Sequence, residues 1–450
     1  MQFELSKSFL EDLSSAITER NGDHVQSLID GLHPADIAEI FDNLSADQAT
    51  YFYYQLPEEV AADTLTHLEE DVLEKLLSIL SADEIAEQID QMESDDAADL
   101  ISELPEDQKE EVISKIEDKE HSSDISDLLS YPEDSAGGLM AKEFIKANIS
   151  WPVDRCIVSM RKQAEEVDKV YYIYVVDDND RLVGTMSLKS LLFASTKTLI
   201  KDIYREGAIS VKADESDEQV AKIMEKYDLV ALPVVDDENR LLGRITIDDV
   251  VDVIKEEAEK DYQMASGLSE KVESHDSVWR ISRARLPWLL IGMIGGILGA
   301  EVIANYEGQI SIRPELAYFI PLVAAMGGNV GVQSAAIVVQ GLANHSIVFN
   351  GIIGRLAKET SVGLLNGLIC SVVIFGYNVF VGNEQDLAWT VGLALLCVIL
   401  FAAIFGTFIP LVLDKYKIDP ALATGPFITT INDVLGLFIY FVIGRMMYEI

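Results

Sequence analysis

The chain has 450 residues, 76 of them Asp or Glu and 34 Lys or Arg, for a formal charge of −42, yet 49% of it is hydrophobic. Ten of the acidic and seven of the basic residues lie from Arg285 onward, leaving 66 against 27 before it, so a charge of about −39 sits on the first part of the chain. This division excludes one ordinary soluble domain, argues against DNA or RNA as a partner because phosphate is held by Lys and Arg, and favours cations. The three cysteines, Cys156, Cys370 and Cys397, form no CxxC pair, so neither a disulfide framework nor a thiolate zinc site is indicated. The start, Met1-Gln-Phe-Glu-Leu-Ser-Lys7, has no basic segment followed by an apolar core, and the first 280 or so residues are expected to stay on the cytoplasmic side.

The first region repeats with a period of twelve. Blocks open at His33, Ser45, Pro57, Glu69, Ser81, Glu93 and Pro105 and close on Leu44, Leu56, Leu68, Leu80, Met92, Leu104 and Ile116. Openings such as Ser-Ala-Asp-Glu and Pro-Glu-Asp supply an N-cap or first-turn proline and carboxylates at the positive helix end. The pattern predicts short helices stacked as an all-α, right-angled superhelix over residues 1–131, with acidic faces outward.

A second duplication has a spacing of 59. Tyr172-Ile-Tyr-Val-Val-Asp-Asp-Asn-Asp-Arg-Leu-Val-Gly184 parallels Ala231-Leu-Pro-Val-Val-Asp-Asp-Glu-Asn-Arg-Leu-Leu-Gly243, each reading as a buried strand, an acidic turn, a second strand and then a helix. This resembles a tandem pair of CBS domains, an α/β unit expected over residues 132–253. CBS pairs often bind adenine nucleotides, and Gly243-Arg-Ile-Thr-Ile-Asp-Asp249 resembles the ribose- and phosphate-contacting segment, with Thr246 and Asp249 as its candidates. The first copy, Gly184-Thr-Met-Ser-Leu-Lys-Ser190, lacks the acid. ATP binding therefore stays open.

Residues 254–285 form a charged, helix-prone connector that runs through Glu270 and Glu273. Five apolar stretches follow near 286–306, 316–343, 361–382, 387–413 and 421–446, each long enough to span a bilayer, which predicts an all-α membrane domain over 286–450. Lys and Arg flank the first stretch and occupy the second-to-third and fourth-to-fifth loops (Arg355, Lys358, Lys415, Lys417), which places the N-terminal region in the cytoplasm and the C-terminus outside.

Asp433 lies thirteen residues inside the last stretch, where an ionised carboxylate facing lipid is expensive, so it is expected to face a watery path. Thr429, Thr430 and Gly436 make its helix face small and polar. Burial against a basic residue is the alternative, and no Lys or Arg lies near that depth in any of the five stretches. Glu301, near the outer end of the first stretch, reads equally well as an interfacial residue. Met326-Gly-Gly-Asn-Val-Gly-Val-Gln-Ser334 reads either as close helix packing or as an ion-lining segment. The six histidines, His24, His33, His67, His121, His275 and His345, show no ligand spacing, so nitrogen or sulfur ligation is not indicated.

The last stretch, Pro420-Ala-Leu-Ala-Thr-Gly-Pro-Phe-Ile-Thr-Thr-Ile-Asn-Asp433, with the Gly-Gly-Asn segment, the five spans, the paired CBS pattern and the helical repeats, resembles the MgtE family of magnesium channels over essentially the whole chain. The resemblance implies a homodimer in the inner or plasma membrane whose twofold pore carries Asp433 from each subunit. It also implies that cytosolic Mg²⁺ binds between the N-terminal and CBS regions and closes the channel, with the connector acting as a plug. Carried over residue by residue, the regulatory ligands are Asp63, Asp95 and Asp99 in the repeats, Glu218 and Asp228 in the second CBS copy, and Asp249, Asp252, Glu257 and Asp261 leading into the connector. Lys260 departs from the acidic residue expected there. A hard cation that keeps much of its water suits carboxylates in a hydrated path. No nucleophile–base set or P-loop appears, so an enzyme or ATP-driven pump is not expected. Two other readings are a secondary transporter of another divalent cation or of an organic anion, and a membrane-tethered sensor of Mg²⁺ or nucleotide that conducts nothing.

Overall fold

The computed structural model describes residues 3, 5–164, 167, 169–270, 272, 276–343, 351–423 and 425–448. Glu273, His275 and His345 of the sequence reading lie outside them. Two compact units are present, residues 1–255 and 256–450.

In the first unit, the block openings His33, Ser45, Pro57, Glu69, Ser81, Glu93 and Pro105 are each the N-cap of a helix: Pro34–Phe41, Ala46–Tyr53, Glu58–Leu65, Glu70–Leu77, Ala82–Ile89, Ser94–Ser102 and Glu106–Lys115. Ser81 shows why the opening works: its hydroxyl accepts from the Glu84 amide while Glu84 accepts from the Ser81 amide, satisfying donors that a helix start leaves unpaired. The closing apolar residue is then tucked inward by a tight turn, as where Leu56 N–H donates to Tyr53 O at 3.0 Å and Met92 N–H to Ile89 O at 3.1 Å. Alternate helices pack together, 34–41 on 58–65, 58–65 on 82–89, and 82–89 on 106–115, so residues 24 apart such as Phe41, Leu65 and Ile89 share one row of the core. Each fully buried Leu, Ile or Phe there contributes about 1.5–3 kcal/mol.

The paired α/β region follows the 59-residue duplication closely. Strand Ile145–Asn148 runs parallel to Ile173–Val176, which pairs antiparallel with Leu182–Met186. In the second copy Val211–Lys212, Ala231–Val235 and Leu241–Thr246 repeat that order. Even the register shift recurs, between Val175 and Val176 and between Val234 and Val235. Both turns contain a short polar residue at positive φ, Asp180 (57°) and Asn239 (64°), a conformation such side chains tolerate. The copies are joined reciprocally, Leu182 N–H donating to Asn239 O and Leu241 N–H to Asp180 O. The apolar core of the helical repeats is continuous with that of the second copy, whereas the first has its own around Ile145, Val153 and Ile173.

The connector, helix-prone over 254–285, is two helices with a break between them. The helix that starts in the second copy runs Ile247–Ala265 and stops where Gly267, at φ 83°, takes the left-handed conformation favoured after a helix end. A new helix begins with Ser277 as its N-cap. Between them Ser269 donates from its amide and hydroxyl to Ala284 O, and the Gln263 side chain both donates to and accepts from the backbone of Val272.

Among the described residues five helices are long and apolar enough to cross a membrane: Val278–Asn305, Pro314–Leu342, Ile353–Val381, Gln385–Lys415 and Pro426–Tyr448, the first to fifth spans. The fourth is the most buried and contacts the second, third and fifth. Two boundaries differ from the sequence reading. The third helix begins at Gly351, ten residues earlier than expected, and so includes Arg355, Lys358 and Glu359; the first includes Arg280, Arg283 and Arg285. An apolar count stops at a cluster of charges, but backbone hydrogen bonding does not, so hydropathy placed both starts too late.

Glycine sets how closely these helices approach. A Cβ on Gly406 of the fourth span would collide with the backbone carbonyl of Gly331 in the second, a group that cannot turn away. Gly406→Ala is therefore expected to lower stability by about 1–3 kcal/mol, read as a lower unfolding temperature of the detergent-solubilised protein. Gly296→Ala, where a Cβ meets open space, serves as the control.

Candidate cation sites

Asp433 lies seven residues along the fifth helix and is half-buried, with Oδ1 about 3.4 Å from where a Cβ on Gly328 would stand. The Gly-Gly-Asn segment thus lets the carboxylate approach the second span, and Thr429, whose methyl faces the same glycine, completes a small polar face. Its neighbour Asn432 also packs on the second span: it is 1% exposed, and neither Oδ1 nor Nδ2 has a partner among the described residues. The Asn432 amide packs on Gly331, where any side chain would displace it. At the start of the fifth helix the chain is again crowded. Gly425, at φ 57°, leaves no room for a Cβ beside the Ala265 carbonyl, and Gly267 sits equally close to the Pro426 ring. The end of the connector helix therefore abuts the entrance of the helix that carries Asp433.

Glu301 is exposed on the first span, as an interfacial or lipid-level position would have it. Glu359 was missed by sequence reading because the third stretch was started two residues after it. It is buried, and the Ser334 hydroxyl donates to its Oε2 at 3.4 Å.

The other gathering of carboxylates is in the first unit, where Ser94–Ser102 faces the start of Ile247–Ala265. Asp95 is pushed well above the ordinary carboxylate range by withdrawal from water and then by the charge of Asp249, with Asp96, Glu93 and Glu143 adding to it. Asp96 and Asp99 reach solvent at their tips, but protein encloses them on their other sides. Desolvation first and Asp249 second raise each to about 7. Asp249 is itself raised by burial, partly offset by the Thr246 amide and hydroxyl, which donate to it at 3.1 and 2.9 Å. Asp249 thus lies near enough to act on Asp95, Asp99 and also Asp96, whose only signal in the sequence was its place beside Asp95 in the first helical turn.

This crowd is held by a polar joint that no local pattern could reveal. Arg244, 3% exposed, makes a two-oxygen contact to Glu93 at 2.7 and 3.0 Å and donates from Nε to the Glu143 backbone carbonyl. Ser94 donates from its amide and hydroxyl to the Glu143 carboxylate and accepts from the Lys142 amide. Glu93 and Arg244 are 151 residues apart in sequence.

The remaining candidates are placed differently. Asp63 is exposed, Glu218 is paired with Lys222 at 2.5 Å, Asp228 is the left-handed C-cap of Asp217–Tyr227, and Asp252 is exposed on its helix. None of these four is among the charges that act on the Asp95 group. Glu257 and Asp261 lie on the stretch of helix that belongs to the second unit, and Lys260, which stands where an acidic residue was expected, pairs with Glu257 at 2.9 Å. Among the described residues no three Asp, Glu, His or Cys side chains converge closely enough to hold a bare metal ion.

Carboxylates with raised proton affinity make the joint pH-dependent. Their folded values lie above the unfolded one, so the ionised forms weaken the arrangement, and stability is recovered as pH falls through about 7 for Asp96 and Asp99. In EDTA, limited proteolysis near Tyr131 is expected to be slower at pH 6 than at pH 8, with millimolar Mg²⁺ removing most of the difference. Faster cleavage at pH 6 would contradict this assignment.

For a nucleotide, Thr246 and Asp249 are committed to each other by their hydrogen bonds, and Thr246 Oγ1 also donates to Asp248. A small cleft, with room for about one water molecule, lies along the same strand at Arg244, lined by Phe144, Tyr171, Tyr172, Tyr174 and Lys169 as well.

Residues 320–443 match a family model described as a divalent cation transporter, MgtE. Residues 32–134 match the MgtE intracellular N domain, and 136–197 and 200–256 match CBS domains. The magnesium transporter MgtE of Enterococcus faecalis is 37% identical over 330 residues, 73% of this chain and 72% of that protein. The one from Thermus thermophilus is 32% identical over 441 residues, 97% and 98% of the two chains. Among solved structures, the cytosolic domain of the Mg²⁺ channel MgtE in complex with ATP superposes with a TM-score of 0.51 at 31% identity, covering 54% of this chain and 99% of that one. The helical repeats, the CBS pair and the five apolar helices thus recur together and in the same order as in proteins that carry ions rather than catalyse reactions. The chain is a multi-pass membrane protein that belongs to the MgtE family of divalent cation transporters.

Proposed function

We propose that this protein carries Mg²⁺ into the cell down its electrochemical gradient and that cytosolic Mg²⁺ restrains it. The observation that carries the reading is Asp433, a carboxylate at membrane depth held against a glycine-cleared face of the second span. In a homodimer two such carboxylates would face each other across the twofold axis and bind an ion that keeps most of its water, the state Mg²⁺ gives up least readily. The basic residues flanking the spans favour an N-terminal region in the cytoplasm and a C-terminus outside. Growth rescue of a bacterium stripped of its own Mg²⁺ uptake systems tests the reading. Rescue at low external Mg²⁺ is expected, and none, with the protein verified in the membrane, would overturn it.

For the restraint, Asp95, Asp96, Asp99 and Asp249 form the principal regulatory site. Mg²⁺ arriving there would neutralise mutual repulsion and hold the helical repeats against the second CBS copy by its differential affinity for that arrangement. The exposed Asp63, Glu218, Asp228 and Asp252, and Glu257 and Asp261 on the connector helix, would add weaker sites, steepening the response. Because that helix ends against Gly425 and Pro426, its position would bear directly on the entrance of the fifth span. An adenine nucleotide would be a second ligand, a reading supported by the ATP complex of the related channel's cytosolic domain.

A further inference from the structure

Inside the membrane part, a polar junction remains that the transport reading does not use. Glu359 is six residues into the third span, about 9 Å along a helix, and is 5% exposed. The Ser334 hydroxyl, at 3.4 Å, supplies one long hydrogen bond to a group with about four lone-pair directions. Among the described residues no basic side chain forms an ion pair with it; Arg355, one turn earlier, has its own Nε buried without a hydrogen-bond partner.

The second observation comes from the facing helix. Asn432, with no partner on either amide atom, packs its Nδ2 against Gly331, an orientation that a half-turn of the amide exchanges for the oxygen, and Gly331 and Ser334 are three residues apart on the second span, so they share a face one turn apart. The amide and the carboxylate therefore address successive turns of the same surface, and Gly406 of the fourth span closes on it from the side. The second span thus meets two poorly satisfied groups one turn apart, the Asn432 amide at Gly331 and the Glu359 carboxylate at Ser334, at a depth where unsatisfied polar groups are costly.

We propose that Glu359, Ser334 and Asn432 form a second station for the transported divalent cation, distinct from Asp433. Carboxylate, hydroxyl and amide oxygens are hard donors suited to Mg²⁺, and an ion that retains several waters needs them at water-bridged rather than direct distance. The proposal rests on the reading of this protein as a Mg²⁺ carrier. The test is Mg²⁺ uptake by liposomes containing the full-length protein, measured against Mg²⁺ concentration for the unmodified chain, Glu359→Gln, Glu359→Asp and Ser334→Ala. Glu359→Gln, which keeps shape and removes charge, is expected to raise the half-saturating Mg²⁺ about tenfold. Glu359→Asp should stay within about threefold and Ser334→Ala should fall between them. The proposal is overturned if Glu359→Gln saturates like the unmodified protein, or if Gln and Asp are equally impaired, which would mark Glu359 as a packing group. Absence of uptake by the unmodified protein would instead overturn the transport reading, and this station with it.

Discussion

Asp433→Asn is expected to weaken Mg²⁺ binding in the membrane path by on the order of 3 kcal/mol, about 100-fold, and to let monovalent ions through. The substitution preserves volume and the close contact with Gly328, so folding should survive while, in the proposed homodimer, two symmetry-related charges vanish. Removing them takes away most of the fixed negative charge at that depth and with it the preference for a doubly charged ion. Single-channel recording in mixed Mg²⁺ and Na⁺ measures the effect. Divalent selectivity equal to that of the unmodified protein would sink the assignment of Asp433 as the ion-binding group.

The second large effect is expected from replacing Asp95 and Asp249 together by Ala. Asp249 is the foremost charge acting on Asp95, Asp96 and Asp99, so the pair lies at the centre of the repulsion and of the proposed Mg²⁺ site. In the unmodified protein, cleavage near Tyr131 should be about tenfold slower in millimolar Mg²⁺ than in EDTA, a ratio that corresponds to about 1.4 kcal/mol of differential binding. In the double variant the ratio should fall toward one. Both sides contribute: without Mg²⁺ the variant has less repulsion to open it, and with Mg²⁺ it has fewer ligands to close it. Salt screens charges beyond about 8 Å at physiological strength, so added NaCl should change exposed pairs such as Glu218–Lys222 more than this group. An undiminished Mg²⁺ response in the double variant would move the regulatory site elsewhere.

What the sequence made legible follows from how local each device is. The twelve-residue repeat announces itself because each block carries its own cap and closing apolar residue, and every predicted opening is a helix N-cap. The CBS duplication is equally local, down to the paired positive-φ turn residues Asp180 and Asn239. Asp433 stood out because an isolated carboxylate among apolar residues has few cheap explanations. Arg244–Glu93 could not be read, since its partners are brought together only by docking of the repeats on the second CBS copy. Glu359 and the break in the connector were missed for a related reason. Hydropathy sees where charge begins, whereas a helix ends where its backbone caps, as at Ser277 and Gly267, allow.

Conduction of Mg²⁺ by this chain is tested most directly by reconstituting the full-length protein in liposomes loaded with a Mg²⁺-sensitive dye and imposing an inward Mg²⁺ gradient without nucleotide or proton gradient. Influx well above that of protein-free liposomes is expected, diminished when millimolar Mg²⁺ is also present at the face bearing the N-terminal region. Influx no faster than into protein-free liposomes would contradict a Mg²⁺-conducting protein.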